Sequence, residues 1–293
     1  MFIAAAQARR SILRNFRTIG YRPNAAAWRA LKMGIKRDLQ AQSLRPNIPI
    51  PRRREVLRYL STLYRETGSI RSSLISLCHD GAWTSSGGSF RLAEEIGVDL
   101  FDEADRVFSR QGRLCYLEIG GGWAGLKTPA GTHARDIAGL GRHFERDLGR
   151  RVLLHFTNLT QWHTDLPNGI VEHPFVTAAG LSVVERQGVP QGSVDIIYSQ
   201  AAAYFEADLH FFIKSAAALL SPEGLLIFNH PESRVELVSK CAKSNGLTAR
   251  RHRHLAGMNG IVVAFEKEPP KTEKIFLNQR GQKTSAQLES MPA

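Results

Sequence analysis

The sequence predicts an α/β fold: a doubly wound, mostly parallel seven-stranded sheet with a basic helical N-terminal extension. Three observations predict it. Short apolar runs alternate with amphipathic helical segments from residue 91 to 244, and such alternation indicates parallel strands joined by right-handed crossovers. A glycine-rich turn, Gly120–Gly122, directly follows one apolar run. Near the end, Asn259-Gly260 predicts a hairpin between two closing antiparallel strands.

The individual elements follow from local pattern. Apolar residues at helical spacing, such as Ile137, Leu140, Phe144 and Leu148, predict helices, and short apolar runs bounded by Gly, Pro or Asn predict strands. The predicted helices are 91–111, 137–148, 211–220 and 235–244. The predicted strands are 113–119, 151–156, 180–184, 194–199, 225–229, 252–255 and 261–265. Together they predict one domain over residues 73–268, followed by a polar, disordered tail at 269–293.

The composition excludes several classes of protein. Of the 293 residues, 43% are hydrophobic and 23% charged, which is ordinary for a globular chain, and no apolar run approaches the roughly 18 residues of a membrane-spanning helix. Cys78, Cys115 and Cys241 stand far apart, without metal-ligand spacing. We therefore expect no disulfide framework and no metal site, and a reducing, cytoplasmic compartment.

The basic charge is confined to the N-terminal quarter. Residues 1–71 contain 16 Lys and Arg against 3 Asp and Glu, whereas residues 72–293 contain 23 against 24. Three interpretations of residues 1–72 remain open. They form a solvated helical extension packed on the main domain, a mitochondrial transit segment within residues 1–40, or an arm that binds nucleic acid or an anionic surface. The transit segment would place the protein in the mitochondrial matrix.

The glycine-rich turn is the strongest candidate for a ligand site. Glu118-Ile119-Gly120-Gly121-Gly122 ends a predicted strand and precedes a helix, and ligands in such folds bind beyond the carboxyl ends of the strands. Three further features follow in order: a strand ending at Asn158, the run Ser193–Tyr198, and the helix, turn and strand of Leu219–Phe228.

In these features the chain resembles the class I S-adenosylmethionine-dependent methyltransferases, which have a Rossmann-like fold. The resemblance covers about Leu114–Lys267. Leu-Glu-Ile-Gly-Gly-Gly with Trp-Ala-Gly-Leu looks like the first motif of the family, and Leu-Leu-Ser-Pro-Glu-Gly-Leu-Leu looks like the turn before its fifth strand. The first motif is also similar to that of sugar or small-molecule O-methyltransferases.

The resemblance implies S-adenosylmethionine as the cofactor and assigns residues to it. Glu118 and the turn of Gly120, Gly121 and Gly122 would cradle its amino acid part. Asn158 stands where the family has an acid for the ribose hydroxyls, and it can accept only through its one carbonyl oxygen. Glu185 would accept from the adenine amine, and Gln200 would contact the cofactor at the start of the helix after the fourth strand.

A dinucleotide site is the alternative for the same turn. Gly120, Gly122 and Gly125 formally satisfy the G-x-G-x-x-G spacing. The residue at the end of the second strand is Asn158 rather than the acid that dinucleotide sites prefer, and the closing hairpin favours the methyltransferase.

The sequence says less about the residues that would bind the methyl-accepting substrate. His230, at the carboxyl end of the fifth strand, is the candidate general base, and Tyr204 is the candidate substrate-binding residue. Ser199-Gln200-Ala201-Ala202 stands where enzymes that methylate amino groups carry Asn/Asp-Pro-Pro-Tyr/Phe. Because residues 72–293 are nearly neutral, whereas a nucleic-acid enzyme usually has basic charge around its site, we expect a small-molecule acceptor, and the resemblance to O-methyltransferases implies that the accepting group is a hydroxyl. A catalytically degenerate protein, or a nucleic-acid-associated methyltransferase using the basic arm, is the alternative.

Overall fold

The computed structural model describes residues 56–67, 90–122, 124–126, 135–200, 202–255 and 260–268. The predictions made for residues 1–55 and for the tail at 269–293 lie outside the described residues, as does Asn259 of the hairpin turn. Of the basic extension, the structure therefore describes one helix. No helix in the described part of the chain is long and apolar enough to cross a membrane.

Seven strands form one sheet in the order β3-β2-β1-β4-β5-β7-β6. The strands are β1 (Leu114–Ile119), β2 (Val152–Asn158), β3 (Ile170–Pro174), β4 (Val194–Ser199), β5 (Leu220–His230), β6 (Leu247–His254) and β7 (Ile261–Lys267). Neighbours from β3 to β5 are parallel, and β7 is antiparallel to both β5 and β6. The sheet is therefore mixed, with one reversed strand, and the predicted seven-stranded α/β fold is confirmed.

Helices cover both faces of this sheet. The helices of the described residues are α1 (Val56–Thr67), α2 (Arg91–Glu95), α3 (Leu100–Gln111), α4 (Ile137–His143), α5 (Ser182–Arg186), α6 (Ala202–Phe205), α7 (Leu209–Leu219) and α8 (Val235–Ser244). Side chains alternate between two core layers along β1, since Leu117 belongs to the layer of α7 and α8, and Tyr116 to that of α2, α3 and α4. Strand periodicity thus fills both layers.

A buried carboxylate joins three strands near their amino ends. Asp195 of β4 accepts from the backbone N of Cys115 in β1 at 2.9 Å and from Oγ of Ser221 in β5 at 2.8 Å. Its side chain is 1% exposed. Buried polar groups require such partners, and this one fixes the β1-β4-β5 arrangement from the edge where these strands begin.

Several predicted elements differ from the structure; among them, β5 and β6 each begin five residues earlier than predicted. The strand predicted at 180–184 is wrong: Ala178–Gly180 is a 3-10 turn that leads into α5, and the third strand is Ile170–Pro174. The helix predicted at 91–111 is divided at Gly97, whose φ is +69°, and Asp99 caps the second part by accepting from the backbone N of Phe101 and Asp102. The helix predicted at 137–148 ends at His143.

The outermost strand β6 is strongly basic. Seven of its eight residues are exposed. Arg250 Nη1 lies 2.7 Å from Glu103 Oε1 of α3, and Arg253 Nη1 donates to the backbone O of Glu95 at 2.8 Å. These contacts tie the outermost strand to helices on one face of the sheet.

Candidate functional site

The strand order creates a crevice at the carboxyl edge, the edge where the carboxyl ends of the parallel strands meet. The chain proceeds from β1 to β2 and β3 on one side, and from β4 to β5 on the other, while β1 and β4 lie side by side. Ile119 and Ser199 are paired at the ends of these two strands, so Gly120 and Gln200 follow them at the same place. Ligands bind at such switch points in open α/β sheets.

The turn after β1 has no room for side chains. Gly120 has a φ of +75°, and a Cβ there would lie 2.7 Å from Cβ of Ala202 at the start of α6. A Cβ on Gly121 would lie 2.8 Å from Cβ of Phe156 in β2. The glycines therefore permit both the left-handed backbone and the close approach of β1 to its neighbours.

The amide groups of this turn all donate to β2. The backbone N of Gly120 donates to Oγ1 of Thr157 at 3.1 Å, that of Gly121 to the backbone O of Thr157 at 3.1 Å, and that of Gly122 to Oδ1 of Asn158 at 2.8 Å. Two of its carbonyl oxygens are engaged as well: that of Gly121 accepts from the backbone N of Ala124 at 2.9 Å, and that of Gly122 accepts from Nδ2 of Asn158 at 3.1 Å and lies 3.3 Å from Nε2 of His163. A carbonyl oxygen has two lone pairs, so the acceptor capacity left for a ligand is on Gly120 and Gly121. An ammonium group suits such a turn, whereas a phosphate requires the N–H groups that are already bound.

A carboxylate also lies at the start of the next helix. Asp136 caps α4, where its Oδ1 accepts from the backbone N of Gly139 at 2.7 Å. A Cβ on Gly125 would collide with this carboxyl group. Burial raises the pKa of Asp136, and the hydrogen bond from Gly139 opposes that rise. Because an anionic group already holds this helix terminus, the dinucleotide alternative has no phosphate position here.

Asn158 lies at the end of β2, as predicted, but its amide serves the protein. It is 4% exposed. Its Nδ2 donates to the backbone O of Gly122 at 3.1 Å and to Oε1 of Glu172 in β3 at 2.7 Å. Asn158 therefore fastens the turn after β1 to both β2 and β3.

Glu172 is a site residue that the sequence analysis missed. Its Oε1 also accepts from the backbone N of Trp162 at 2.8 Å, and its Oε2 accepts from the backbone N of His163 at 2.8 Å. Burial raises its pKa, and these hydrogen bonds oppose the rise. The signal that could have located it is the register of β3, which the misplaced third strand concealed.

Glu118 and Gln200 belong to a second hydrogen-bonded group beneath the crevice. Glu118 is 1% exposed, and Oη of Tyr116 donates to its Oε2 at 3.0 Å. Oη of Tyr198 donates to Oε1 of Gln200 at 3.0 Å and accepts from the backbone N of Leu92 at 3.3 Å. Burial, together with the charge of Glu118, raises the pKa of both tyrosines. Glu118 thus supports the turn from below, and Tyr198 orients the partly exposed Gln200.

The backbone of His230 and the ring of Tyr204 both lie close to Gly260 at the carboxyl end of β5. A Cβ on Gly260 would lie 2.3 Å from the backbone O of His230 and 2.9 Å from Cε2 of Tyr204. His230 is 2% exposed, and its Nδ1 lies 2.9 Å from the backbone O of Pro231. A carbonyl only accepts, so the proton lies on Nδ1 and the lone pair on Nε2. Burial lowers the pKa of His230 and raises that of Tyr204.

Glu185 does not join this group. It lies in α5, near the start of β4, and its Oε1 accepts from Nε2 of Gln191 at 2.9 Å. Helix α5 runs from the end of β3 back towards the beginning of β4, so its last turn lies at the opposite edge of the sheet. The structure thus brings Glu118, the three glycines, Asn158, Gln200, Tyr204 and His230 to the carboxyl edge, and leaves Glu185 away from it.

The comparisons with known proteins give likenesses of fold. No family model and no curated protein matches the chain. A solved S-adenosylmethionine-dependent methyltransferase from Mesorhizobium loti is similar at 11% identity and a TM-score of 0.39, over 58% of this chain and 99% of that one. The carbon methyltransferase DszA is similar at 13% identity and 0.40, over 81% and 71%. The [4+2]-cyclase SpnF is similar at 10% identity and 0.38, over 58% and 81%.

Proposed function

We propose that the protein binds S-adenosylmethionine in the crevice between β1 and β4 and methylates a hydroxyl group of a small molecule. The turn Gly120–Gly122 carries this proposal. Because its amide groups are bound to β2, what it can offer at the switch point is the acceptor capacity of the Gly120 and Gly121 carbonyl oxygens, and the amino acid part of S-adenosylmethionine bears an ammonium group that donates. Bound S-adenosylmethionine supplies an electrophilic methyl group on a positively charged sulfur.

The residues at the carboxyl edge divide into two roles. Gly120–Gly122, supported by Glu118 and Asn158, and Gln200, oriented by Tyr198, hold the cofactor on the β1 and β4 side. Tyr204 and His230 lie on the β5 side, where an acceptor would enter. The chief task of the chain is to align these two ligands, since an in-line displacement depends on orientation.

His230 is the candidate general base of this reaction. Its Nδ1 proton is held by the carbonyl of Pro231, so Nε2 is the atom that can take a proton from a hydroxyl. Burial lowers its pKa, which keeps the imidazole neutral and able to accept at neutral pH. A base positioned in this way contributes typically 10²- to 10⁴-fold to a rate.

Calorimetry tests cofactor binding. The wild-type protein is expected to bind S-adenosylmethionine and S-adenosylhomocysteine, and Gly120→Ala should lose most of this affinity because its Cβ collides with Ala202. Gly112→Ala is the matched control: its φ, +69°, is positive like that of Gly120, but nothing lies within 4 Å of the added Cβ. If neither compound binds the wild type at millimolar concentration, the domain is a degenerate one and the proposal fails.

Methyl transfer tests the acceptor and the base. Labelled methyl donor is supplied with a metabolite pool and an RNA pool in parallel, and the label should enter the metabolites. His230→Asn should slow transfer by about 10²-fold or more while S-adenosylhomocysteine still binds. His252→Asn, on the exposed strand β6, is the control. Equal rates for wild type and His230→Asn would remove the base assignment.

A second candidate function uses the basic arm. The excess of 16 Lys and Arg over 3 Asp and Glu in residues 1–71 favours binding to nucleic acid or an anionic surface. Within this region, α1 exposes Arg58 and Arg65, and the Arg58 guanidinium lies 4.4 Å from the ring centre of Phe175, after β3. This function predicts RNA binding that weakens steeply with salt and is lost when residues 1–71 are removed. Label entering only the RNA pool would favour it.

A further inference from the structure

The pair formed by Asn158 and Glu172 has acceptor capacity beyond what the protein uses. The two residues lie on adjacent strands, where Phe156 pairs with Glu172 and Asn158 pairs with Pro174. Paired residues share a face of the sheet, as do residues two apart on a strand. Asn158 and Glu172 therefore lie on one face, and Nδ2 and Oε1 are 2.7 Å apart.

The amide of Asn158 is fixed in one orientation. A carboxylate only accepts, so the NH₂ group of Asn158 must face Glu172, and its second hydrogen reaches the backbone O of Gly122. The carbonyl oxygen Oδ1 accepts from the backbone N of Gly122 at 2.8 Å. An amide oxygen has two lone pairs, so one acceptor position on Oδ1 remains.

Glu172 also retains one acceptor position. An ionised carboxylate has about four lone-pair sites. Oε1 accepts from Nδ2 of Asn158 and the backbone N of Trp162, and Oε2 accepts from the backbone N of His163. The remaining position is on Oε2. Glu172 is partly exposed, whereas Asn158 is buried, so the charged member of the pair is the one more open to a ligand.

We propose that Asn158 and Glu172 together bind the two neighbouring hydroxyls of a ribose, one hydroxyl on each residue. This inference rests on the proposed function and names the residues that recognise the nucleoside part of the cofactor. In nucleotide-binding sheets an acid beyond the second strand commonly accepts from a ribose hydroxyl. In this chain the negative charge stands one strand further out, and the two acceptor positions a diol requires are divided between two side chains.

The identity of residue 158 follows from the same arrangement. An aspartate there would place a second carboxylate against Oε1 of Glu172, and two carboxylates at that distance repel each other. Asparagine instead donates to Glu172 and keeps one oxygen as an acceptor. The amide at the end of β2 and the carboxylate on β3 therefore form a matched pair.

Calorimetry with S-adenosylhomocysteine and its 2′-deoxy and 3′-deoxy analogues tests the pair. For the wild type, each missing hydroxyl should weaken binding, with the larger loss, about 10-fold or more, for the hydroxyl on the charged acceptor. Glu172→Gln should weaken S-adenosylhomocysteine binding to a similar extent and remove discrimination against that one analogue. The double variant Asn158→Asp/Glu172→Gln, which moves the charge to β2, should restore the discrimination against that analogue. Glu185→Gln, far from the crevice, is the control.

The outcomes separate this inference from the proposed function. Wild-type protein that binds S-adenosylhomocysteine and both analogues equally would overturn the inference alone. So would a Glu172→Gln protein that loses the same factor for all three compounds, since that indicates only a structural role. No binding of any compound to wild type would overturn both. If Glu172→Gln fails to fold, Glu172→Asp replaces it, because its shorter side chain keeps the charge but moves it away from the ribose. Glu172→Asp should lower the same discrimination, and unchanged discrimination would overturn the inference.

Discussion

Asp195 and the Asn158–Glu172 pair lie at opposite edges of one sheet, and both join neighbouring strands through buried hydrogen bonds. Asp195 links β4 to β1 and β5 where these strands begin. Asn158 and Glu172 link β2 and β3 to the turn after β1 where the strands end. The chemistry is the same at both edges, namely carboxylate or amide oxygens that accept from backbone and side-chain donors.

The two edges differ in access. Asp195 is 1% exposed, so its hydrogen bonds can serve only the fold. Glu172 is partly exposed and lies beside the crevice, so its carboxylate can serve the fold and a ligand together. A polar group inside a sheet can thus also serve a ligand when it stands at the carboxyl edge, is partly exposed and keeps one acceptor position unused. Variants at the two edges should separate stability from binding.

The largest effect is expected for Asp195→Ala. It leaves the backbone N of Cys115 and the hydroxyl of Ser221 without their acceptor in a buried place and creates a cavity. We expect the free energy of unfolding to fall by roughly 3–5 kcal/mol in urea denaturation. S-adenosylhomocysteine affinity of the folded variant should stay within about twofold of wild type. A folded variant with much weaker binding would contradict the division between the edges.

Acid should lower the stability of the fold through a histidine pair that joins β2 and β3. His155 Nδ1 in β2 lies 3.0 Å from His173 Nε2 in β3, and His173 Nδ1 lies 2.6 Å from Oε1 of Gln187. Burial, together with repulsion from His173, lowers the pKa of His155 from 6.5 to about 4, and burial lowers that of His173. The unfolded chain therefore takes up these protons first.

The corresponding measurement is unfolding free energy against pH. His155 makes its full contribution to the free energy of unfolding above pH 6.5. This contribution decreases as the pH falls towards 4, by about 3 kcal/mol in total. His155→Asn should flatten this dependence, and His252→Asn should leave it unchanged. A stability that is level between pH 6.5 and 4 would show that the pair does not remain buried and neutral.

Glu172→Gln should cost less stability than Asp195→Ala. The new carboxamide keeps an oxygen for Asn158 and Trp162, but its NH₂ group faces the backbone N–H of His163, where two donors meet. We expect a loss of about 1–2 kcal/mol. Asp195→Asn is the matched substitution at the other edge. If Glu172→Gln lowered the free energy of unfolding more than Asp195→Asn does, the main role of the Asn158–Glu172 pair would be structural.

The smallest effect is expected at the surface. Arg250 and Glu103 join β6 to α3 at 2.7 Å, with 32% and 10% of their side chains exposed. Arg250→Gln should cost about 0.5–1 kcal/mol and less at high salt. The costs of the substitutions at Asp195 and at the Asn158–Glu172 pair are compared with this value. The nearly buried carboxylate of Glu103 keeps its pair with Arg106 in this variant. A cost equal to that of Asp195→Ala would mean that Arg106 alone does not compensate this carboxylate.

The central strands could be predicted from sequence because they are buried on both faces. β1, β4 and the second half of β5 are buried throughout and mostly apolar, and such segments have few alternative structures. The third strand, Ile-Val-Glu-His-Pro, could not be located from local pattern, because it is short and contains Glu172 and Pro174, which are poor strand formers. Its pairing with β2 makes it a strand. The apolar run 180–184 looked more like a strand, yet it packs as a helix against the core.

The residues of the candidate site could be predicted where the strands that carry them could be predicted. The sequence locates the strands that these residues end or follow: the glycine turn, Asn158, Gln200 and His230 lie at strand ends, and Tyr204 lies in the short helix after β4. Topology alone therefore brings them to one edge of the sheet. Glu172 depends on the register of β3 against β2. Glu185 is assigned from its position five residues before Pro190, and that spacing does not determine at which edge of the sheet it lies. Local pattern determines which residues end a strand, whereas register determines which side chains meet across strands.

The basic character of β6 has a consequence for how copies of this protein meet. A sheet that stays open presents the backbone of its outermost strand to any neighbouring chain, and an outermost strand of β-branched, neutral residues invites intermolecular pairing and aggregation. Arg250, Arg251 and Arg253 place positive charge along eight residues that are nearly all exposed. Two copies approaching along this strand repel each other, so the sheet can remain open on this side without becoming a template for fibres.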